Sequence, residues 1–345
     1  MTTLNAQHLQ HISLQQLHQP QNNDNLLMIR DANYWIDEAR SRAIPQMLFG
    51  KFWHQGEVCI LFADSNLGKS ILAVQIADAI SKGKGSYPFD VEPQAQPVIY
   101  CDFELTDKQF EARYSANYTN HYKFNPNFLR AQLNPDPELL SNPNDFDDNL
   151  ICDLECSVVN TNAKVLIIDN LTFLRNETEQ AKDALPLMKQ LKNLKNKYDL
   201  SILVLAHTPK RDLTQAITRN DLQGSKMLMN FCDSAFTIGE SNADSSLRYL
   251  KQIKQRNTEQ VYGDSNICLC RISKPYNFLH YEFVAFGEEW HQLVKKKHSE
   301  QHDEALLAKI VSLKDQNLTL REIGRELGIT HQKVSRMLQA AEDAK

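Results

Sequence analysis

The chain contains no apolar run near the eighteen residues that a membrane helix needs, so no membrane span is expected. Its N-terminus lacks a basic start followed by an apolar stretch, so no secretory signal is expected either. The seven cysteines are scattered, and neither Cys152/Cys156 nor Cys268/Cys270 has the paired Cys-x-x-Cys spacing of a zinc site. They read as reduced thiols of a cytoplasmic protein. A positive charge excess is also missing: 38 Lys and Arg against 43 Asp and Glu leave a net charge of -5. The protein as a whole is therefore no polycation, and any contact with nucleic acid must come from local patches or from assembly. With 345 residues there is material for one large domain and a small one.

What is present centres on residues 58–80. The apolar, β-prone run Val58-Cys59-Ile60-Leu61-Phe62 leads into Ala63-Asp64-Ser65-Asn66-Leu67-Gly68-Lys69-Ser70-Ile71, and apolar residues then recur at helical spacing to Ile80. Strand, tight polar loop and helix form the context of a phosphate-binding loop. In such a loop backbone N–H groups and the positive end of the helix dipole hold phosphate. Lys69 would reach the β- and γ-phosphates, and Ser70 would ligate Mg²⁺. The pattern usually opens with Gly, and Ala63 stands there instead. Ala is penalised at positive φ, so a shifted entry path is expected.

Residues 1 to about 30 are rich in Gln, His and Asn and read as a solvated tail. A helical stretch within 31–55 and the apolar lead-in Ile44–Gly50 follow. Pro97–Glu104 reads as a second strand running into a carboxylate, 107–123 as a helix, 128–133 as a short strand and 134–149 as a proline-bearing loop. Val165–Asn170 is an apolar strand ending in Asp169-Asn170, a helix follows over about 181–198, and Ser201–Thr208 is a buried strand ending in His207-Thr208. A polar loop over 211–223 precedes a short apolar helix, and 234–285 reads as a meander of shorter strands. Strands nearly all apolar and alternating with helices indicate an α/β fold with a mostly parallel sheet covered on both faces. Ligands of such sheets bind at the carboxyl ends of strands, where Lys69, Glu104, Asp169 and His207 all fall.

With these residues in place the chain resembles the RecA-like ring ATPases, and within them the RepA-type plasmid replicative helicases (an AAA_25-like group), with DnaB and RecA as more distant relatives. The resemblance spans about Phe49 to Phe286. It implies ATP as nucleotide, Glu104 as the residue that orients the attacking water, Asp169 on Mg²⁺ and His207 as the γ-phosphate sensor. Ile253-Lys254-Gln255-Arg256-Asn257 is similar to the Lys-x-Arg segment of DnaB-type helicases, which implies Arg256 as an arginine finger acting in trans and Lys254 as its companion. The loop bearing Lys210, Arg211 and Arg219 corresponds to one that touches single-stranded DNA in these relatives. Plainer roles stand beside these: Glu104 also suits capping of the next helix, His207 a structural role, and Lys254 and Arg256 the exposed face of a strand.

Near the C-terminus, residues 318–338 fit a helix-turn-helix, with Gly324 allowing close approach, Gly328 making the turn and Thr330 as N-cap. Its second helix presents Gln332, Lys333, Ser335 and Arg336, residue types that meet bases and phosphates in a major groove. Docking to protein is the other use of such units. The expected organisation is a tail over 1–30, an ATPase core over 31–292, a charged linker over 293–303 and a helix-turn-helix domain over 304–345. The reading is of a Mg²⁺-dependent ATPase and homo-oligomer, with a hexameric ring as one form, acting on DNA as helicase or replication factor of a plasmid or mobile element. Single-stranded DNA would pass the core loop and duplex would meet the helix-turn-helix. The alternative is an ATP-switched DNA-binding regulator without helicase activity.

Overall fold

Strands buried on both faces need apolar side chains at every position, and the near-continuous runs of this chain meet that requirement. The computed structural model describes residues 27–134, 146–170, 184–222, 225–295 and 298–343. The stretch read as an N-terminal tail, most of the loop expected over 134–149, and Gly224 lie outside them, apart from 27–30 and 146–149. The chain divides into two compact units, Met1–Gln46 and Met47–Lys345. In the first, helix α1 (Ala32–Arg40) is capped by the Asp31 side chain, which accepts from the Tyr34 N–H.

The second unit opens with the short pair β1 (Met47–Phe49) and β2 (Trp53–His54). Strand β3 (Val58–Ala63) runs through the phosphate loop into α2 (Lys69–Lys82). Then come β4 (Val98–Asp102), α3 (Asp107–Arg113), the small strands β5 (Ser115–Ala116) and β6 (Asn120–His121), and β7 (Phe128–Ala131). They are followed by α4 (Phe146–Thr161), β8 (Val165–Asp169), α5 (Ala184–Tyr198), β9 (Ser201–His207) and α6 (Ser225–Phe231). Strands β10 (Ser234–Glu240), β11 (Leu247–Lys254), β12 (Ile267–Ser273) and β13 (His280–Gly287) complete the sheet. Helices α7 (His298–Asp315), α8 (Leu320–Leu327) and α9 (His331–Asp343) end the chain.

The nine-stranded sheet has the order β13-β12-β11-β10-β3-β9-β8-β4-β7. From β10 to β7 all neighbours are parallel, and β10 to β13 pair antiparallel. Alternate residues of β3 serve opposite faces, as a period of two demands. Val58, Ile60 and Phe62 pack with α4 and α5, whereas Cys59, Leu61 and Ala63 pack with α2. The chain leaves β3 for β4, with room for two strands between them, and fills that gap through β8 and β9. Strand β9 thus lies between the phosphate-loop strand and the strand of Asp169.

A fully buried charge pair ties the antiparallel half to the loop after β9. Lys251 Nζ contacts Glu289 Oε2, lies 2.6 Å from Asp264 Oδ1 and donates to the Ile217 carbonyl at 2.7 Å. Glu289 Oε1 accepts from the Ile217 N–H at 2.9 Å and from the Tyr249 hydroxyl at 3.0 Å.

At the C-terminal end Leu306, Ile310, Ile323 and Val334 form the centre of a small apolar cluster joining α7, α8 and α9. Gly328 has φ +65° at the end of α8, and a Cβ on Gly324 would meet the Ile329 carbonyl oxygen at 2.7 Å. The Thr330 hydroxyl accepts from the Lys333 N–H at 3.3 Å.

Several expectations need correction. The helix expected over 107–123 stops at Arg113, because Asn117 and Tyr118 take left-handed backbone and make the β5–β6 turn. Helix α4 occupies residues to which no element was assigned, and its start replaces the end of the expected loop. The strands expected over 234–239, 247–253, 267–272 and 280–285 are found, each one or two residues longer, but β10 joins the parallel part instead of a meander. Helix α7 begins inside the stretch read as a charged linker; Glu300 and Gln301 there are good helix formers.

Removing one member of the buried pair leaves the other charged and unpaired, which costs roughly 3–5 kcal/mol. Glu289→Ala is therefore expected to lower the stability of the protein by about 3 kcal/mol in urea denaturation. An unchanged midpoint would show that Asp264 alone satisfies Lys251.

Candidate functional site

The phosphate loop turns on two left-handed residues, Asn66 at φ 64° and Gly68 at φ 91°. A Cβ on Gly68 would also lie 2.8 Å from the Tyr281 hydroxyl and 2.9 Å from Ile272 Cδ1, so conformation and space both demand glycine. Tyr281 of β13 donates to the Leu67 carbonyl, and the Gln75 side chain of α2 pairs with both backbone groups of Tyr281 at 3.0 and 2.7 Å. Ala63 is the last residue of β3 and is not among the positive-φ residues. The strain anticipated there does not arise, because the left-handed turn sits later in the loop.

A cavity of about 390 Å³ opens above this loop, lined by Ser65, Asn66, Gly68, Lys69, Ser70, Ile71, Glu104, Arg113 and His207. Parallel register brings strand ends together: Ala63 lies beside His207, and Asp102 beside Asp169. Lys69 Nζ donates to the carbonyls of Ala63 and Asp64, both at 3.0 Å, and to His207 Nδ1 at 3.1 Å. Burial lowers its pKa, with Asp169 and Glu104 opposing the shift. Glu104 does not cap α3; Thr106 does, in a capping box with Gln109. The Glu104 turn is held by Asp102, which accepts from the N–H groups of Glu104 and Leu105 at 3.3 and 2.9 Å and is itself paired with Arg130 at 2.9 Å. The His207 ring, 3.7 Å away, lowers the Glu104 pKa, and burial works against it.

Asp169 is fully buried, and burial raises its pKa to about 6. One carboxylate oxygen accepts from the Tyr100 hydroxyl at 2.7 Å; the other, Oδ1, is buried without a hydrogen-bond partner. The Ser70 hydroxyl, at the start of α2, hydrogen-bonds to this carboxylate and works against the shift. Among the described residues no group of three or more His, Cys, Asp or Glu could hold a metal alone. A hard cation that takes one carboxylate, one hydroxyl and its remaining ligands from phosphate and water fits Ser70 and Asp169.

Lys254 and Arg256 lie elsewhere. Lys254 pairs with Ala235 at the start of β10, whose next-door residue Ser234 pairs with Cys59 near the start of β3. Ala235 also pairs with Ile60, so Lys254 lies level with a point three residues, roughly 10 Å, short of the end of β3 and two strands across the sheet. Lys254 Nζ donates to the carbonyls of Met229 and Cys232 after α6, and burial lowers its pKa. Arg256 contacts Asp233 at 3.3 Å and the Asn230 carbonyl at 3.1 Å, yet its side chain stays 47% exposed. In the loop after β9, Lys210 and Arg219 are exposed, whereas Arg211 is half-buried and donates to the Gln215 carbonyl. On α9, Gln332, Ser335 and Arg336 are exposed and Lys333 is half-buried.

Sequence reading missed Arg113 and Asn170. Arg113 ends α3 and carries a buried Nη1 without a hydrogen-bond partner, but nothing in its spacing distinguishes it from a solvated helix residue. Asn170 directly follows Asp169 and is 1% exposed. The tetrad Asn196-Lys197-Tyr198-Asp199 was also passed over, although it has the Asn-Lys-x-Asp form of a guanine reader. It closes α5 just before β9, at the sheet edge opposite the phosphate loop, where Lys197 and Tyr198 bind Glu155. It cannot read a base held in the cavity.

The Asp169 shift has a definite sign. A carboxyl whose folded pKa is raised stabilises the fold below its unfolded pKa, and that contribution is lost as pH rises through about 6. In metal-free, nucleotide-free protein, Asp169→Asn is expected to stabilise by about 3 kcal/mol at pH 8 and about half as much at pH 5. Urea denaturation at the two pH values measures this, and a loss of stability at pH 8 would contradict it.

A family profile described as an AAA domain matches residues 27–212. None of the curated proteins matches the sequence significantly. Among solved structures, a KaiC-like protein from the hyperthermophilic archaeon Pyrococcus horikoshii is similar at 15% identity and a TM-score of 0.43, over 67% of this chain and 91% of that one. No helix among the described residues is long and apolar enough to cross a membrane. The phosphate loop on a mostly parallel sheet and the match over more than half of the chain agree: the protein belongs to the AAA domain family of P-loop ATPases.

Proposed function

We propose that the protein is a Mg²⁺-dependent ATPase that works as a homo-oligomer on DNA, as a RepA-like helicase or replication factor of a plasmid or mobile element. The observation that carries this reading is the separation of Arg256 from its own phosphate loop. Lys69, Glu104, Asp169 and His207 share one sheet edge. Arg256, exposed at the other edge, cannot reach the phosphates of its own chain. A second copy placing that edge over the cleft would complete the site.

In this reading Lys69 neutralises the β- and γ-phosphates, Glu104 accepts a proton from the attacking water and His207 contacts the γ-phosphate. Ser70 and Asp169 would hold Mg²⁺, which would supply positive charge against that of the phosphates. Arg256 from the neighbouring copy stabilises charge in the transition state, and Lys254 acts through it by fixing the end of α6. Exposed Lys210 and Arg219 suit the backbone of single-stranded DNA. The α8–α9 pair, with its glycine turn and exposed Gln332, Ser335 and Arg336, suits a helix-turn-helix on duplex. This last feature also favours a second reading, an ATP-switched regulator that binds duplex without moving along it.

Hydrolysis by the wild type is expected to rise strongly with single-stranded DNA. Arg256→Ala is expected to lower kcat by about 10³-fold while ATP binding persists. Mixing Arg256→Ala with Glu104→Gln should restore part of the activity, because one mixed interface joins an intact Glu104 to an intact Arg256. Absence of complementation would remove the shared site. Turnover indifferent to DNA, with duplex binding lost in Arg336→Ala, would replace the motor by the regulator.

A further inference from the structure

Helix α2 borders two cavities. Its first turn lines the cleft above the phosphate loop. Its later turns, with Phe49, parts of 84–89 and the approach to β13, enclose a second space of about 260 Å³. No residue lines both. Three backbone hydrogen bonds fix the segment that walls the second space. Phe89 N–H donates to the Ser86 carbonyl at 2.6 Å, Gly50 N–H to the Asp90 carbonyl at 2.8 Å and Glu92 N–H to the Met47 carbonyl at 2.9 Å. The wall therefore stands before any ligand enters. The space is smaller than the roughly 300–1,000 Å³ of sites for drug-sized molecules, which limits an occupant to one ring and a few polar groups.

The lining joins two kinds of chemistry. Phe49 and Phe89 stack with ring centroids 4.7 Å apart, and Phe278 adds a third ring. Such a wall suits an aromatic body. Beside the rings stand Asp78, Lys82 and Lys84. Among the described residues that line the cavity, Asp78 is the one acid. Its Oδ2 accepts from Lys82 Nζ at 2.7 Å and from the Tyr122 hydroxyl at 2.8 Å, so Lys82 is balanced. Lys84 then adds a positive charge that no lining acid matches. His280, the remaining titratable lining residue, donates from Nδ1 to the Phe278 carbonyl at 3.2 Å. Asp78 is 6% exposed, and its Oδ1 is buried without a hydrogen-bond partner. A carboxylate has room for about four donors, and this one receives two. The cavity thus calls for an anion at Lys84 and a donor at Asp78.

We propose that this cavity is a binding site for a small aromatic acid that also carries an ammonium group, the chemistry of an aromatic α-amino acid. The ring packs among Phe49, Phe89 and Phe278, the carboxylate pairs with Lys84 and the ammonium donates to Asp78. Gln75 lines the same cavity and bonds both backbone groups of Tyr281, whose hydroxyl donates to the Leu67 carbonyl of the phosphate loop. The ligand would therefore abut the contact that shapes that loop. The proposal goes beyond the ATPase reading and does not rest on it.

The test titrates L-phenylalanine, phenylacetate and phenethylamine into the full-length protein, followed by NMR, with Mg²⁺ and a non-hydrolysable ATP analogue present. L-phenylalanine is expected to bind about tenfold tighter than phenylacetate, which lacks the donor, and than phenethylamine, which lacks the anion. Lys84→Ala, at an exposed position, should weaken L-phenylalanine and phenylacetate about tenfold and leave phenethylamine within about twofold. The wild-type series decides the matter even where that variant does not fold. No binding by any probe, equal binding by all three, or indifference to Lys84→Ala overturns the site. L-phenylalanine that binds only when the analogue is left out occupies the cleft, which overturns the site as well. Failure of the analogue to bind, with L-phenylalanine still held, overturns the ATPase reading alone.

Discussion

Closure of the phosphate loop at Gly68 is the constraint on which the rest of the molecule depends. The left-handed turn starts α2 at the floor of the cleft. The turn is wedged under Tyr281 and Ile272, so the loop is shaped from below by strands far along the chain. Gln75 repeats the link one helical turn after the loop by bonding both backbone groups of Tyr281. The antiparallel half of the sheet thereby acts as a buttress for a loop formed by the parallel half.

Charge burial at the two edges serves different ends. Asp169 and Lys69 are buried where each has its ordinary pKa shifted toward the neutral form, a standing cost to the fold that a bound nucleotide and cation would offset. Lys251 and Glu289 are equally buried but fully paired, and they fasten Ile217 in the loop that carries Lys210 and Arg219. The first pair is poised for ligand and the second is a fastening. The loop so anchored begins immediately after His207, which links the cleft to the candidate DNA surface through one short segment.

Secondary structure was legible where a single pattern dominated. Apolar runs ending in Asp169 or His207 had no reading other than buried strands, and α2 followed from its spacing. The hairpin at 115–121 was hidden because Phe110, Tyr114 and Tyr122 mimic helical spacing; the aromatic cluster they form with Phe124 and Phe278 is tertiary. Helix α4 escaped because the proline- and acid-rich segment before it dominates its window.

From the sequence alone came the phosphate loop, the succession of strands and helices, and the placing of Glu104, Asp169 and His207 at strand ends. Each depends on local pattern and on the rule that parallel strands finish at one edge. Only the tertiary structure decided that Ala63 carries no strain, that Arg113 lines the cleft, that buried Asn170 contacts Glu104 and His207, that Arg256 lies on the far edge and that Lys69 is engaged by His207. Those facts depend on strand order and register, which join residues over a hundred positions apart and leave no periodic mark in the chain.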